Sequence, residues 1–126
     1  MVTELYAHVQ AIRELMEKTN VISATDNLGY PNQIHKNMMD LKSNHASKII
    51  MIVAESCLCD RFKQESFVDT RNYVIGFQLH QEVMEAAKKT KNSVDLNDLI
   101  ELDDVLRGMC TMYTRNDGSD DEDMED

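Results

Sequence analysis

A chain of 126 residues supplies one domain and not two, and a single proline, four glycines and 42% apolar residues without a long β-branched stretch favour helices over sheet. The formal charge of -10, from 23 acidic against 13 basic residues, disfavours direct contact with nucleic acid. The longest apolar run, Ile49 to Ala54, is too short to cross a membrane, and no basic segment followed by an apolar run suggests a secretory signal.

The first predicted helix carries Leu5, Val9, Ile12 and Met16 at spacings of three or four, with Val2 and Tyr6 beside them. Thr3 is its expected cap, and it ends near Lys18 to Asn20. The stretch that follows, rich in Asn, Ser, Asp and Gly, reads as a connector, with Pro31 in the first turn of a second helix. Ile34, Met38 and Leu41 continue that helix, which either breaks or runs on through the polar segment KSNHAS.

From Lys48 the chain is apolar through Ile49, Ile50, Ile52, Val53, Cys57 and Leu58. A buried strand also fits six such residues, but a lone strand leaves its edges unpaired, so a buried helix is expected. A long helix starting near Asp69 follows, with Phe67, Tyr73, Phe77, His80, Met84 and Ala87 along or near its apolar stripe. Lys88, Lys89 and Lys91 gather near its end, where the helix dipole favours cations. Ser93 or Asp95 caps the last helix, whose inner face is Leu99, Leu102, Leu106, Met109 and Tyr113, widened by Val105 and Met112. The short connector before it makes these two helices antiparallel neighbours. The expected fold is all-α, a small bundle of four to five helices over residues 1–115 with an acidic tail over 116–126.

That tail is distinct in charge. Residues 117–126, DGSDDEDMED, hold seven acidic and no basic residues, leaving 16 acidic against 13 basic elsewhere. Repulsion at this density predicts disorder in the free chain. Its register does not fit a calcium loop. Cys57, Cys59 and Cys110 are an odd number of thiols, which fits a reducing, cytoplasmic compartment. Cys57 and Cys59 lack companions at zinc-site spacing, and His8, His35, His45 and His80 are scattered, each expected as a packed or surface residue. Arg61, Lys63 and Arg71 are expected to offset Asp60, Glu65 and Asp69, although Glu65 with Asp69 also forms a second acidic cluster.

Paired carboxylates are the sharpest chemical signal. Glu82 and Glu85 precede Glu101 and Asp104, each pair three residues apart and so on one face of its helix. Two such helices packed antiparallel can set four oxygen-bearing groups around a hard divalent ion such as Mg²⁺, which bridges carboxylates to substrate phosphates and activates water for attack. Lys88 and Lys89, one turn beyond Glu85, then become triphosphate contacts, or Lys89 simply pairs with Glu85.

The runs QEVMEAAKK and IELDDVLRGM resemble the two signature helices of the all-helical, MazG-like nucleotide pyrophosphohydrolases, a Glu-x-x-Glu helix followed by a Glu-x-x-Asp helix ending in a Val-Leu pair. The likeness covers residues 78 to 109. It implies Mg²⁺-dependent cleavage of nucleoside triphosphates or dUTP to monophosphates, with Glu82, Glu85, Glu101 and Asp104 as metal ligands, in a homo-oligomer. A different class of function stands beside it: an acidic helical protein, without catalysis, that binds or inhibits a protein with a basic surface, in one version by imitating nucleic-acid charge.

Overall fold

Leu5, Val9, Ile12 and Met16 are all withdrawn from solvent, as their spacing requires, on an α-helix, α1, spanning Val2–Thr19. The computed structural model describes residues 1–25, 27–59, 62–63 and 69–117, the side chains of 114–117 excepted. Thr3 does not cap α1. It lies inside the helix, because Met1 already stands at the cap position and its carbonyl accepts from the Leu5 N–H at 3.1 Å.

The connector folds back on itself. Thr25 bridges Pro31, the Asn32 N–H donates to the Ala24 carbonyl at 2.9 Å, and Gly29 takes φ 87°, a left-handed turn that glycine adopts without strain. The second helix, α2, spans Gln33–Ile52. Asn32 is its cap, the side-chain oxygen accepting from the N–H groups of Ile34 and His35, so Pro31 stands one residue outside the helix and not in its first turn. The helix does not break at KSNHAS. Lys42, Ala46 and Ile49 all face inward there, giving the polar segment a buried stripe of its own.

Beyond Ile52 the coil widens into a π-helical segment, Val53–Cys59, still with Val53 and Cys57 buried. The Phe62 N–H donates to the Cys57 carbonyl five residues back, at 2.7 Å, extending the wide spacing to the end of the apolar run. The run is therefore helical, as its length and lack of partner strands require.

The third helix, α3, spans Thr70–Lys91 and begins where expected: Asp69 caps it, accepting from the Arg71 N–H at 2.8 Å. Its buried stripe keeps His80 and Ala87 of the expected one and otherwise differs. Gly76, His80, Val83, Ala86, Ala87 and Thr90 face inward, while Phe77 is exposed. Small residues there let the neighbouring helices approach closely. Phe67 lies outside the described residues.

The last helix, α4, spans Leu96–Asp117. Asp95 is at its start, accepting from the Asn97 N–H at 2.9 Å, and Ser93 in turn accepts from the Asp95 N–H. Leu99, Leu102, Leu106, Met109 and Tyr113 are all buried, matching the expected face residue for residue. Residues 118–126, most of the acidic tail, lie outside the described residues.

Contacts between helices fix the topology. His8 meets His45 and Met1 meets Cys57, so α1 and α2 run antiparallel. Lys42 reaches Thr90 while Phe62 packs on Tyr73 and His80, so α2 and α3 do too. Thr90 bonds Asp98 and His80 bonds Tyr113, so α3 and α4 repeat the pattern. With α1 also packed against α4, the described chain is an all-α, up-and-down bundle of four helices. No helix is long and apolar enough to cross a membrane among the described residues.

Candidate functional site

The Glu-x-x-Glu and Glu-x-x-Asp helices are α3 and α4, adjacent and antiparallel. Glu82, Glu85, Glu101 and Asp104 are all exposed to solvent. Helical geometry accounts for this: Glu85 lies two residues from both Val83 and Ala87, and Asp104 two residues from both Leu102 and Leu106. Two residues turn a helix by roughly 200°, so Glu85 and Asp104 stand nearly opposite the buried stripe, while Glu82 and Glu101 lie toward its flank. Among the described residues no three His, Cys, Asp or Glu side chains are grouped to hold a metal ion.

Lys88 and Lys89 are exposed as well, and Lys89 is engaged. Its ammonium reaches Glu101 at 3.3 Å and Asp98 at 3.5 Å across the α3–α4 turn, and not Glu85 on its own helix. The hydrogen bond to Glu101 and that carboxylate's charge hold Lys89 above its ordinary pKa. Asp98 is held below its own, first by the Ser93 hydroxyl and then by Lys89. Arg107 and Asp103 pair at 3.2 Å one turn apart.

The Cys110 thiol is not an activated nucleophile. Burial pushes Cys110 up to about 11, so it stays protonated at neutral pH. Tyr6, against Cys110 and under the Arg107 guanidinium at 5.7 Å, is pushed up to about 12, chiefly by burial. Cys57 donates to the Met1 sulfur at 3.1 Å. No disulfide links Cys57, Cys59 or Cys110.

Two buried polar centres were invisible to pattern reading. Lys42 is only 1% exposed, and its ammonium donates to the carbonyls of Thr90, at 2.8 Å, and Ser93. It thereby adds a charged donor to the Thr90 carbonyl, which also accepts from the Ser93 N–H at 3.2 Å, and supplies one to the Ser93 carbonyl just beyond α3. Burial lowers its pKa, and Asp98 opposes that shift. His80, fully buried, lies between the Gly76 carbonyl at 2.7 Å and the Tyr113 hydroxyl. A carbonyl only accepts, so Nδ1 carries the proton and the Tyr113 hydroxyl donates to Nε2. Both ring nitrogens are thus satisfied in the neutral form, and burial lowers the His80 pKa.

The histidines are less scattered than the sequence suggests. His8 and His45, 37 residues apart, face each other across α1 and α2 with Nδ1 atoms 2.9 Å apart. Only the pairing of these two helices reveals it.

At one end of the bundle, where the α1–α2 and α3–α4 connectors lie together by topology, large apolar side chains are turned outward. Val21 is 84% and Leu28 81% exposed, with Tyr30, Ile34 and Val94 also exposed. Fold and site together define an acidic, all-α four-helix bundle with an apolar end. No known protein family, curated protein or solved structure matches the chain.

Proposed function

We propose that this protein works by binding a protein partner, docking the apolar end of its bundle on a partner with a basic surface. The observation that carries this reading is the exposed set Val21, Leu28, Tyr30 and Val94 on two connectors, with Ile34 in the first turn of α2, at the same end. A cluster of large apolar side chains left in water is characteristic of interaction sites. The excess of 16 acidic over 13 basic residues before the tail, with seven more acids in it, supplies the charge complement.

A second reading, Mg²⁺-dependent nucleoside triphosphate pyrophosphohydrolysis, is favoured by one observation: the two helices that resemble the signature pair are antiparallel neighbours, cross-linked by Lys89 and Glu101. In that reading Glu82, Glu85, Glu101 and Asp104 hold Mg²⁺, Lys88 and Lys89 meet the triphosphate, and the exposed carboxylates close on the ion against another copy of the chain in a homo-oligomer.

Two measurements separate the readings. The full-length protein and its Val21→Asp variant are immobilised and challenged with lysate from its source at rising salt. The binding reading expects one partner retained by the parent, weakened by salt and lost on the variant. A panel of nucleoside triphosphates including dUTP is then assayed with and without Mg²⁺. Metal-dependent release of pyrophosphate and monophosphate, abolished by Glu82→Gln, would overturn the binding reading in favour of the enzyme.

A further inference from the structure

His8 and His45 lie apart from both the apolar end and the carboxylate face. Their Nδ1 atoms are 2.9 Å apart, their ring centroids 5.1 Å, and their planes are inclined by 49°. Each ring is half-buried, so solvent reaches the pair, and each is anchored on a different helix of a packed antiparallel pair. We propose that these two imidazoles form a site for a divalent transition-metal ion, Cu²⁺ or Ni²⁺ ahead of Zn²⁺, that bridges α1 and α2.

Neutral imidazole is the commonest protein ligand for such ions, and two ring nitrogens held this close by packed helices can share one once each ring turns its Nδ1 off the N···N line by about 45°. With metal–nitrogen bonds of about 2.0–2.1 Å, a nitrogen separation of 2.9 Å subtends roughly 90° at the ion. That is the angle between neighbouring ligands in tetragonal or octahedral coordination, the geometries of Cu²⁺ and Ni²⁺. A tetrahedral Zn²⁺ wants the nitrogens about 3.3–3.4 Å apart, so the helices or rings must open slightly to take it.

Protons balance without an external acid or base. In the neutral pair one Nδ1–H donates to the other Nδ1. When both Nδ1 atoms bind metal, that proton moves to Nε2 of the same ring, and no net proton leaves the protein. Two charged groups act on His8 besides its partner: Glu4, one turn earlier on α1, favours a cation, and Lys48, from α2, opposes it. No third His, Cys, Asp or Glu among the described residues completes a three-ligand group, so water fills the remaining positions. Two protein nitrogens make this a weaker site than a closed structural one.

The test is titration of the full-length protein with Ni²⁺ followed by calorimetry. One ion per chain is expected, with His8→Ala and His45→Ala each weakening binding about tenfold or more. His35→Ala and Cys59→Ser, at sites away from the pair, leave it unchanged. Should an alanine variant not fold, the parent alone decides: Ni²⁺ is expected to broaden the imidazole NMR signals of His8 and His45 before those of His35 and His80. Absence of binding by the folded parent at millimolar metal, undiminished binding by folded His45→Ala, loss of binding in Cys59→Ser, or first broadening at His35 would each overturn the proposal.

Discussion

The ammonium of Lys42, in the middle of α2, donates to the carbonyl oxygen of Thr90 in the last turn of α3 at 2.8 Å, and the same group also bonds the Ser93 carbonyl just beyond. A charged donor thus closes the end of a neighbouring helix from inside the core. Ser43, the next residue, donates to the Lys91 carbonyl at 3.2 Å, so α2 holds the α3–α4 turn through two consecutive side chains.

Replacing Lys42 by Met keeps the aliphatic stem and removes the donors, leaving the Ser93 carbonyl without its charged partner and Thr90 with only the Ser93 N–H. Hydrogen bonds to a charged group contribute about 1.5–3 kcal/mol each, and relief of the buried charge offsets part of that loss. The expected net destabilisation is about 2 kcal/mol, read from urea unfolding of parent and variant. An unchanged midpoint would mean that these carbonyls find other partners at no cost.

His80 makes stability depend on pH. Its pKa in the fold lies below the ordinary 6.5 because burial disfavours the charged ring. Below about pH 6.5 the unfolded chain therefore takes up a proton that the folded one resists. Its contribution is complete above that value and declines as the pH falls toward the lowered folded pKa. NMR titration of the His80 ring should show protonation only below pH 6.5. Tyr113→Phe removes the donor to Nε2 and strands a buried acceptor, an expected loss of about 1–3 kcal/mol at neutral pH by urea unfolding.

Gly76 lets Phe62 reach His80. A methyl group there would stand 2.7 Å from a Phe62 ring carbon and 2.9 Å from the Met112 sulfur. Ala gains about 1 kcal/mol of helix propensity over Gly, while overpacking a core costs about 1–3 kcal/mol. Gly76→Ala should therefore be net destabilising by about 1 kcal/mol in the parent. In a Phe62→Leu background, where the ring is gone, the same change should turn neutral or stabilising. A double-mutant cycle measures that reversal. Equal effects in both backgrounds would show that the segment after α2 moves aside freely.

Amphipathic pattern carried the fold wherever one residue type repeated on one face. Leu99, Leu102, Leu106 and Met109 read as a stripe and are one, and the same holds for Leu5 to Met16. On α3 the pattern held for His80 and Ala87 but missed Gly76, Val83, Ala86 and Thr90, which also face inward, and misplaced Phe77, which faces water. A buried lysine could not be read because its partners, Thr90 and Ser93, are 48 and 51 residues away. The His8–His45 pair was hidden in the same way. Of the carboxylate face, the helices and their antiparallel packing were legible. The outward direction of Glu85 and Asp104 was not read there; it follows from the buried positions two residues away on either side, of which Val83 was not on the expected stripe.

That outward direction leads to a prediction about the carboxylates themselves. Glu82, Glu85 and Asp104 are exposed, so neutralising them should leave the packing of α3 on α4 intact. Glu82→Gln and Asp104→Asn are expected to change unfolding free energy by no more than about 0.5 kcal/mol, the range of ordinary surface substitutions. Glu101→Gln differs because it removes a partner of Lys89 at 3.3 Å. With Glu101 neutral, the main cause of the raised Lys89 pKa is gone, and only the pull of Asp98 remains, so the Lys89 pKa should fall. NMR titration of the lysine side chain reads that shift directly. A stable Glu82→Gln, Glu85→Gln, Glu101→Gln, Asp104→Asn quadruple variant then isolates function from folding. Weakened association with a basic partner and a shallower salt dependence would assign these acids to the interface. Unaltered association would confine docking to the apolar end around Val21 and Leu28.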